Sequence, residues 1–266
     1  MDRPETQRSL ERLWSGPLAV VIALLTVAGC IVVVARWQEP EPAVAAPTTT
    51  VAPTTTTTAA PKPEVPVSTE LATPNGVIPT YDAPAGKQIG KVGRWYGYPM
   101  TMPIVEHRRG WLRIRLPERP NNSTAWVQSG NVVGSRTAYR IVIRLSQTNL
   151  TVYRAGFPLF TVPAGVGKPS TPTAPGSFFV AVIEKPGPSP GYGPIVLNTS
   201  GHSEAIQSWE GMGDAITAIH GPISASSDAR IGTTGTYISN GCIRLHTADQ
   251  LKLDMIPLGT PVDIVP

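Results

Sequence analysis

One octapeptide, Ile238-Ser239-Asn240-Gly241-Cys242-Ile243-Arg244-Leu245, holds the residues best suited to covalent chemistry in this chain of 266 residues. Of its two cysteines, Cys242 is the one outside a hydrophobic N-terminal run, and His220-Gly221 lies 22 residues before it. A thiol attacks as thiolate, so it needs a base or a positive neighbour to lower its ordinary pKa of about 8.5. His220 offers a base. It ends the apolar run Ala215-Ile216-Thr217-Ala218-Ile219 and precedes a glycine, as a side chain does where a strand leaves its sheet at a cleft. His246 competes on proximity, although its place beside a helix start suits a surface role. Small residues at Ser239, Asn240 and Gly241 leave backbone N–H groups free around the thiol, as an oxyanion hole for acyl transfer requires. Arg244 shares the side-chain parity of Cys242 in an extended chain, so its guanidinium can grip a carboxylate bidentately. The alternative for Cys242 is a small buried hydrophobe, the commonest fate of a free cysteine.

The elements that must position these groups read as mainly β. Proline (29) and glycine (25) are frequent and charged residues make up 15%, which favours short strands and turns over long surface helices. Residues 139–145, 149–153 and 157–162, with the turn Arg154-Ala155-Gly156, predict a β-meander. A loop over 165–176 leads into a strand over 177–182. Its Gly167-Lys168 is no phosphate loop, because prolines at 169, 172 and 175 forbid the helix that must follow. Thr247-Ala248-Asp249-Gln250 reads as a capping box opening a short helix to about Met255, and residues 261–265 return as a strand. Residues 76–135 are short alternating runs between turns, which predicts a small β-barrel. Within it, Trp111, Ile114 and Leu116 alternate imperfectly with Arg113 and Arg115, as in a half-buried strand.

The chain before these modules reads as a tether. Residues 16–35 carry no charge and are long enough to span about 30 Å of hydrocarbon as a helix. Trp14 and Trp37 flank the run, and Arg3, Arg8 and Arg12 precede it while only Arg36 follows. That pattern keeps residues 1–15 in the cytoplasm and exports the rest. The competing reading is a cleaved signal with a lipid-modified Cys30, since Val27-Ala28-Gly29-Cys30 resembles a lipobox. Residues 37–75 are rich in Pro, Thr and Ala and are expected to be an extended linker. In an exported chain an unpaired thiol is a liability unless it is used, which favours function for Cys242.

Charge divides the modules. The net charge of +4 breaks down as +1 over residues 1–36, −3 over 37–75, +6 over 76–136 and zero over 137–266. The segment with the thiol is neutral, which argues against nucleic acid as the main partner. Arg108, Arg109, Arg113, Arg115 and Arg119 are either a basic face for an anionic polymer or a solvated strand face. The scattered histidines and lone cysteine suggest no metal site.

His220-Gly221 followed by Ser-x-Gly-Cys-Ile-Arg-Leu from Ser239 resembles the catalytic signature of the L,D-transpeptidases that remodel peptidoglycan (YkuD-type domain). The strand 150–153, the loop 167–176 and Gly201-His202-Ser203-Glu204-Ala205-Ile206 are also similar, so the likeness covers about residues 137–266. Residues 110–117 with the turn at 120–123 and Ala125-Trp126-Val127 resemble bacterial SH3-like domains. The expected architecture is a transmembrane helix (16–36), a linker (37–75), an SH3-like barrel (76–135) and a β-rich catalytic domain with a short helix (137–266).

The resemblance implies that Cys242 attacks the carbonyl of the third residue of a tetrapeptide stem and expels the terminal D-alanine. His220 would act as base and then acid, oriented by a backbone carbonyl, with Gly221 as the candidate. Backbone N–H groups of Gly241 and Cys242 would hold the oxyanion, and Asn240 stands where the family often has histidine. Ser239 and Arg244 would shape the pocket or bind a stem carboxylate. Tyr237, Ser224 and His202 are candidate cleft contacts, and Trp209 a candidate shield. A neighbouring stem's side-chain amine would resolve the thioester into a 3→3 cross-link without a cofactor. Water would give a carboxypeptidase and a protein amine would give protein anchoring. The thiol is also the expected point of acylation by carbapenems. The partners implied are stem peptides, the membrane through residues 16–36, and anionic wall polymers at the basic module. One departure is the long gap to Cys242, which predicts an enlarged loop over 223–237. A sortase would want a different cysteine motif with arginine farther on, and papain-like hydrolases place cysteine before histidine. A wall-binding protein without catalysis is the remaining rival.

Overall fold

The computed structural model describes residues 61–185, 191–209, 213–233 and 236–266. The expected anchor at 16–36, Cys30 and the linker through residue 60 lie outside the described residues. Among the described residues no helix is long and apolar enough to cross a membrane.

Seven antiparallel strands form a first sheet. Its order is Gln88–Val92, Ile78–Tyr81, Thr124–Gln128, Trp111–Arg115, Met102–Arg108, Thr69–Pro74 and Val132–Thr137. The linker expected to run to residue 75 therefore stops earlier. Thr69–Pro74 is a strand paired on both sides, with Leu71 and Ala72 buried. Those two apolar residues sit among Pro, Thr and Glu, so average composition hid them. Parity in Trp111–Arg115 also differs from expectation: Leu112 and Ile114 face the core, while Trp111 stacks edge-on against Tyr81 at 5.1 Å. The five arginines do not make one basic face. Arg108 and Arg113 share Glu106, and Arg119 turns toward Asp214.

The second sheet has eight strands, ordered Phe157–Pro163, Asn149–Arg154, Tyr139–Arg144, Pro261–Val265, Gly176–Glu184, Val196–His202, Ile216–His220 and Ile243–Arg244. The meander occupies one edge, with Pro261–Val265 inserted parallel to Tyr139–Arg144. β-Branched and leucine side chains at Ile141, Ile143, Leu150, Val152, Leu197, Val262 and Ile264 build one core on the period of two that strands impose. The C-terminal helix Thr247–Leu251 and the 3-10 turn Lys252–Met255 add Leu253 to it. Its N-cap is His246, one residue before the expected Thr247, and it has no side-chain cap bond. The Gln250 side chain that a capping box would use is buried instead and bonds the carbonyls of Tyr192 and Ile195.

Gly176–Glu184 belongs to both cores. Phe178 and Val180 enter the core of the second sheet, and Phe179 and Ala181 enter that of the first. Around this strand, Asn121 bonds both backbone groups of His202, at 2.8 and 2.9 Å, and Asn122 Oδ1 accepts from Ser177 N at 2.8 Å. Arg119 donates to Asp214 through Nε at 3.0 Å and through a terminal nitrogen at 2.9 Å. Phe179→Ala should cost about 3–5 kcal/mol, as large-to-small changes at buried aromatics do. Chemical unfolding followed by fluorescence and by far-UV circular dichroism should show one shifted transition, whereas early loss of one sheet alone would contradict a shared core.

Candidate active site

The register of two strands places the reactive groups. Ile216–His220 runs parallel to Ile243–Arg244, with Ile219 opposite Ile243 and His220 opposite Arg244. Side chains alternate between faces, so Ile219 and Ile243 fall into the core. Ala218, His220, Cys242 and Arg244 take the opposite face and line one cavity of about 340 Å³.

His220 is fixed from two sides, and the residue after it is held as well. Its Nδ1 donates to Gly221 O at 2.7 Å, which leaves Nε2 as the free nitrogen. The Tyr192 ring meets it edge-on at 4.8 Å, and Tyr192 O accepts from Gly221 N at 2.9 Å. A Cβ at Gly221 would lie 2.7 Å from Gln250 Oε1 and 3.2 Å from Tyr192 O, so a larger residue there would displace the Gln250 side chain. Burial, with a smaller contribution from the Arg244 charge, lowers the imidazole to about 4 against the pull of the Gly221 bond. The ring is therefore neutral across the neutral range.

Cys242 is shaped by the turn before it. Gly241 has φ of +116°, a backbone that other residues adopt only with strain. The Ser239 hydroxyl accepts from Gly241 N at 3.1 Å and donates to Cys242 O at 2.6 Å. Gly241 N–H, expected to face an oxyanion, is thus already engaged, because a serine two residues upstream closes a side-chain turn onto it. Thr173 Oγ1 donates to Gly241 O at 2.9 Å and accepts from Gly167 N, tying the cysteine turn to the loop over 165–176. Burial pushes the Cys242 thiol up, while the Ala218 N–H and the Arg244 charge pull it down less strongly. The resting pair is a neutral thiol and a neutral imidazole.

Arg244 is 8% exposed, and a terminal nitrogen donates to Ser227 Oγ at 3.0 Å and Ile238 O at 3.1 Å. Ser227 belongs to the one-turn helix Ala225–Asp228, capped by Ser224, in the segment between His220 and Cys242. That segment therefore supplies the hydroxyl that holds the arginine. Arg244 Nε is buried without a partner. Asn240 lines the cavity and accepts from Thr171 Oγ1 at 3.4 Å.

Three expected cleft contacts lie elsewhere, Ser224 among them, since it caps the helix Ala225–Asp228 and does not line the cavity. Tyr237 is 44% exposed and its strand pairs with Val166, away from the cavity. His202 is buried at the junction of the two sheets, with Nε2 on Pro117 O at 3.2 Å and Nδ1 2.8 Å from Asp214 Oδ2, outside hydrogen-bond geometry. Burial alone would raise Asp214. The Ala215 N–H, Arg119 and His202 outweigh it and hold the carboxyl below its ordinary value. His246 binds Asp228 at 2.7 Å outside the cavity, and Trp209 lines it. Sequence reasoning missed Tyr192 and Gln250. The signal for Tyr192 was an aromatic between Gly191 and Gly193, whereas Gln250 read as a helix cap.

The family model YkuD, described as the L,D-transpeptidase catalytic domain, matches residues 138–264. Over those residues the chain is similar to an L,D-transpeptidase catalytic domain. A protein of Bacillus licheniformis that bears the YkuD name is 33% identical over 129 residues, which cover 48% of this chain and 66% of that protein. Among solved structures, an L,D-transpeptidase from Mycobacterium smegmatis is 22% identical, with 55% of this chain and 69% of that chain covered at a TM-score of 0.37. The transpeptidase LdtMt1, solved in complex with imipenem, is also 22% identical, with 73% and 81% covered at 0.38. Scores this low carry no weight for function, and the chain spans just under two thirds of the YkuD relative.

The neutral pair has a direct consequence for the reactivity of Cys242. Alkylation of Cys242 by iodoacetamide, read at its own peptide by mass spectrometry, should climb only above the ordinary thiol range. A plateau of fast labelling through neutral pH would show a thiolate–imidazolium pair instead.

Proposed function

We propose that the domain forms 3→3 peptidoglycan cross-links through a Cys242 thioester drawn from a tetrapeptide donor stem. The observation that carries this reading is the single sheet face on which Cys242, His220, Arg244 and the Ala218 N–H converge in one cavity. As the donor carbonyl arrives, the Cys242 proton passes to His220 Nε2 while the sulfur–carbon bond forms. The tetrahedral oxyanion is met by the Cys242 N–H, since Ser239 holds that of Gly241. Collapse breaks the peptide bond, and His220 returns the proton to the departing D-alanine amine. An acceptor's side-chain amine then attacks the thioester, giving its proton to His220, and the thiol leaves protonated.

Arg244 Nε, buried and unpartnered, gives a stem carboxylate a charge-assisted partner. In this reading residues 16–36 anchor the chain in the membrane and residues 37–68 carry the folded part out to the wall. Water or a protein amine as acceptor uses the same acyl-enzyme.

Incubation of the protein with a disaccharide-tetrapeptide should add a disaccharide-tripeptidyl group to the intact protein, and Cys242→Ala should abolish the adduct. A cross-linked dimer then marks transpeptidation and a free disaccharide-tripeptide marks hydrolysis. Acylation should be flat through neutral pH and fall as pH drops through about 4, where His220 takes up a proton and can no longer accept one. Acylation in Cys242→Ala, or an acid limb near the ordinary histidine range, would count against the mechanism.

A further inference from the structure

Glu184 ends the strand shared by the two cores and brings a carboxylate to the wall of the catalytic cavity. Asn198 Nδ2 donates to one of its oxygens at 3.1 Å, and Tyr98 OH, from the first sheet's module, approaches the other at 3.4 Å. Both are neutral donors. Among the described residues Glu184 has no ion pair, because its neighbour Lys185 is taken by Asp254 at 2.7 Å. The cation in the cavity, Arg244, is tied to Ser227 and Ile238. The carboxylate is held in place, faces the cavity and has no cation of its own.

Its distance from the thiol follows from the ladder. Glu184 lies opposite Val196 and its carboxylate meets the side chain of Asn198, two residues along; Asn198 pairs with Ala218, whose N–H reaches the sulfur of Cys242. Two strand spacings, about 10 Å, and an offset of two residues, about 7 Å along the strand, place the Glu184 and Ala218 backbone positions about 12 Å apart, a gap the Glu184 side chain shortens. Apolar side chains of Ile216 and Ala218 line the cavity. An acyl group on Cys242 whose side chain carries an amine at the end of several methylenes would run along that floor and end at Glu184.

We propose that Glu184, seated by Asn198 and Tyr98, is a subsite for the side-chain ammonium of the donor stem's third residue. This rests on the transpeptidase reading above. The donor's amine fits better than the acceptor's. A carboxylate holds an amine protonated, and an attacking amine must be free of its proton. The subsite makes the domain selective for a diamino acid at the position it acylates, and it draws the preceding module into substrate recognition through Tyr98.

The test compares acylation rates of the full chain, by intact-protein mass spectrometry, with tetrapeptide donors whose side-chain amine is free or N-acetylated. Loss of a hydrogen bond to a charged group predicts that the free-amine to N-acetyl ratio falls roughly tenfold or more in Glu184→Gln. Glu184→Asp, which keeps the charge, should retain part of the preference, and Tyr98→Phe should lower it by a smaller factor. A purely structural role would slow both donors alike and leave the ratio unmoved. An unmoved ratio, or a loss confined to the acceptor step on a preformed acyl-enzyme, overturns the subsite. Failure of the unaltered protein to be acylated by either donor would instead overturn the transpeptidase reading.

Discussion

Side chains on a strand must alternate between faces, and in Gly176–Glu184 each face meets a separate core. Phe178 and Val180 anchor it to the second sheet while Phe179 and Ala181 anchor it to the first. A one-residue slip would exchange the two sets and unseat both cores, so the register is fixed from two sides. The strand sets Val196–His202 beside it, that strand sets Ile216–His220, and this last sets the turn into Cys242. The site is therefore ordered across a ladder whose reference line is also the junction with the preceding module. The polar contacts of Arg119, Asn121 and Asn122 close around the same line.

Burial governs the chemistry at the far end of that ladder. It raises the thiol and lowers the imidazole, so both partners are uncharged until a substrate is present. A thiol held neutral is less exposed to adventitious oxidation, because oxidants react with the thiolate. In the proposed mechanism activation belongs to the moment of attack, with His220 already oriented by Gly221 O.

Much of this was legible in the sequence, and the misses share a cause. The meander, the cysteine turn, the histidine at a strand end and the parity of Cys242 with Arg244 follow from short-range alternation, and the structure shows each of them. What could not be read was which distant group would claim a given donor. Ser239 takes the Gly241 N–H, Gln250 turns inward to the Tyr192 carbonyl, and His202 goes to the junction. Each outcome depends on a partner brought in by tertiary packing, and composition around residues 69–74 similarly concealed a strand that needed two partners. The roles of the site residues rest on the proposed mechanism.

Pro261–Val265 lies in the interior of the second sheet, between Tyr139–Arg144 and Gly176–Glu184. It follows in sequence every residue that builds the cavity. The meander and the strands leading to Cys242 thus cannot join into one sheet until this last segment inserts between them. Such long-range pairing makes folding slow. Until that final strand docks, Cys242 is an ordinary thiol on an unfinished sheet, so assembly of the cavity around it is timed by the completion of the fold.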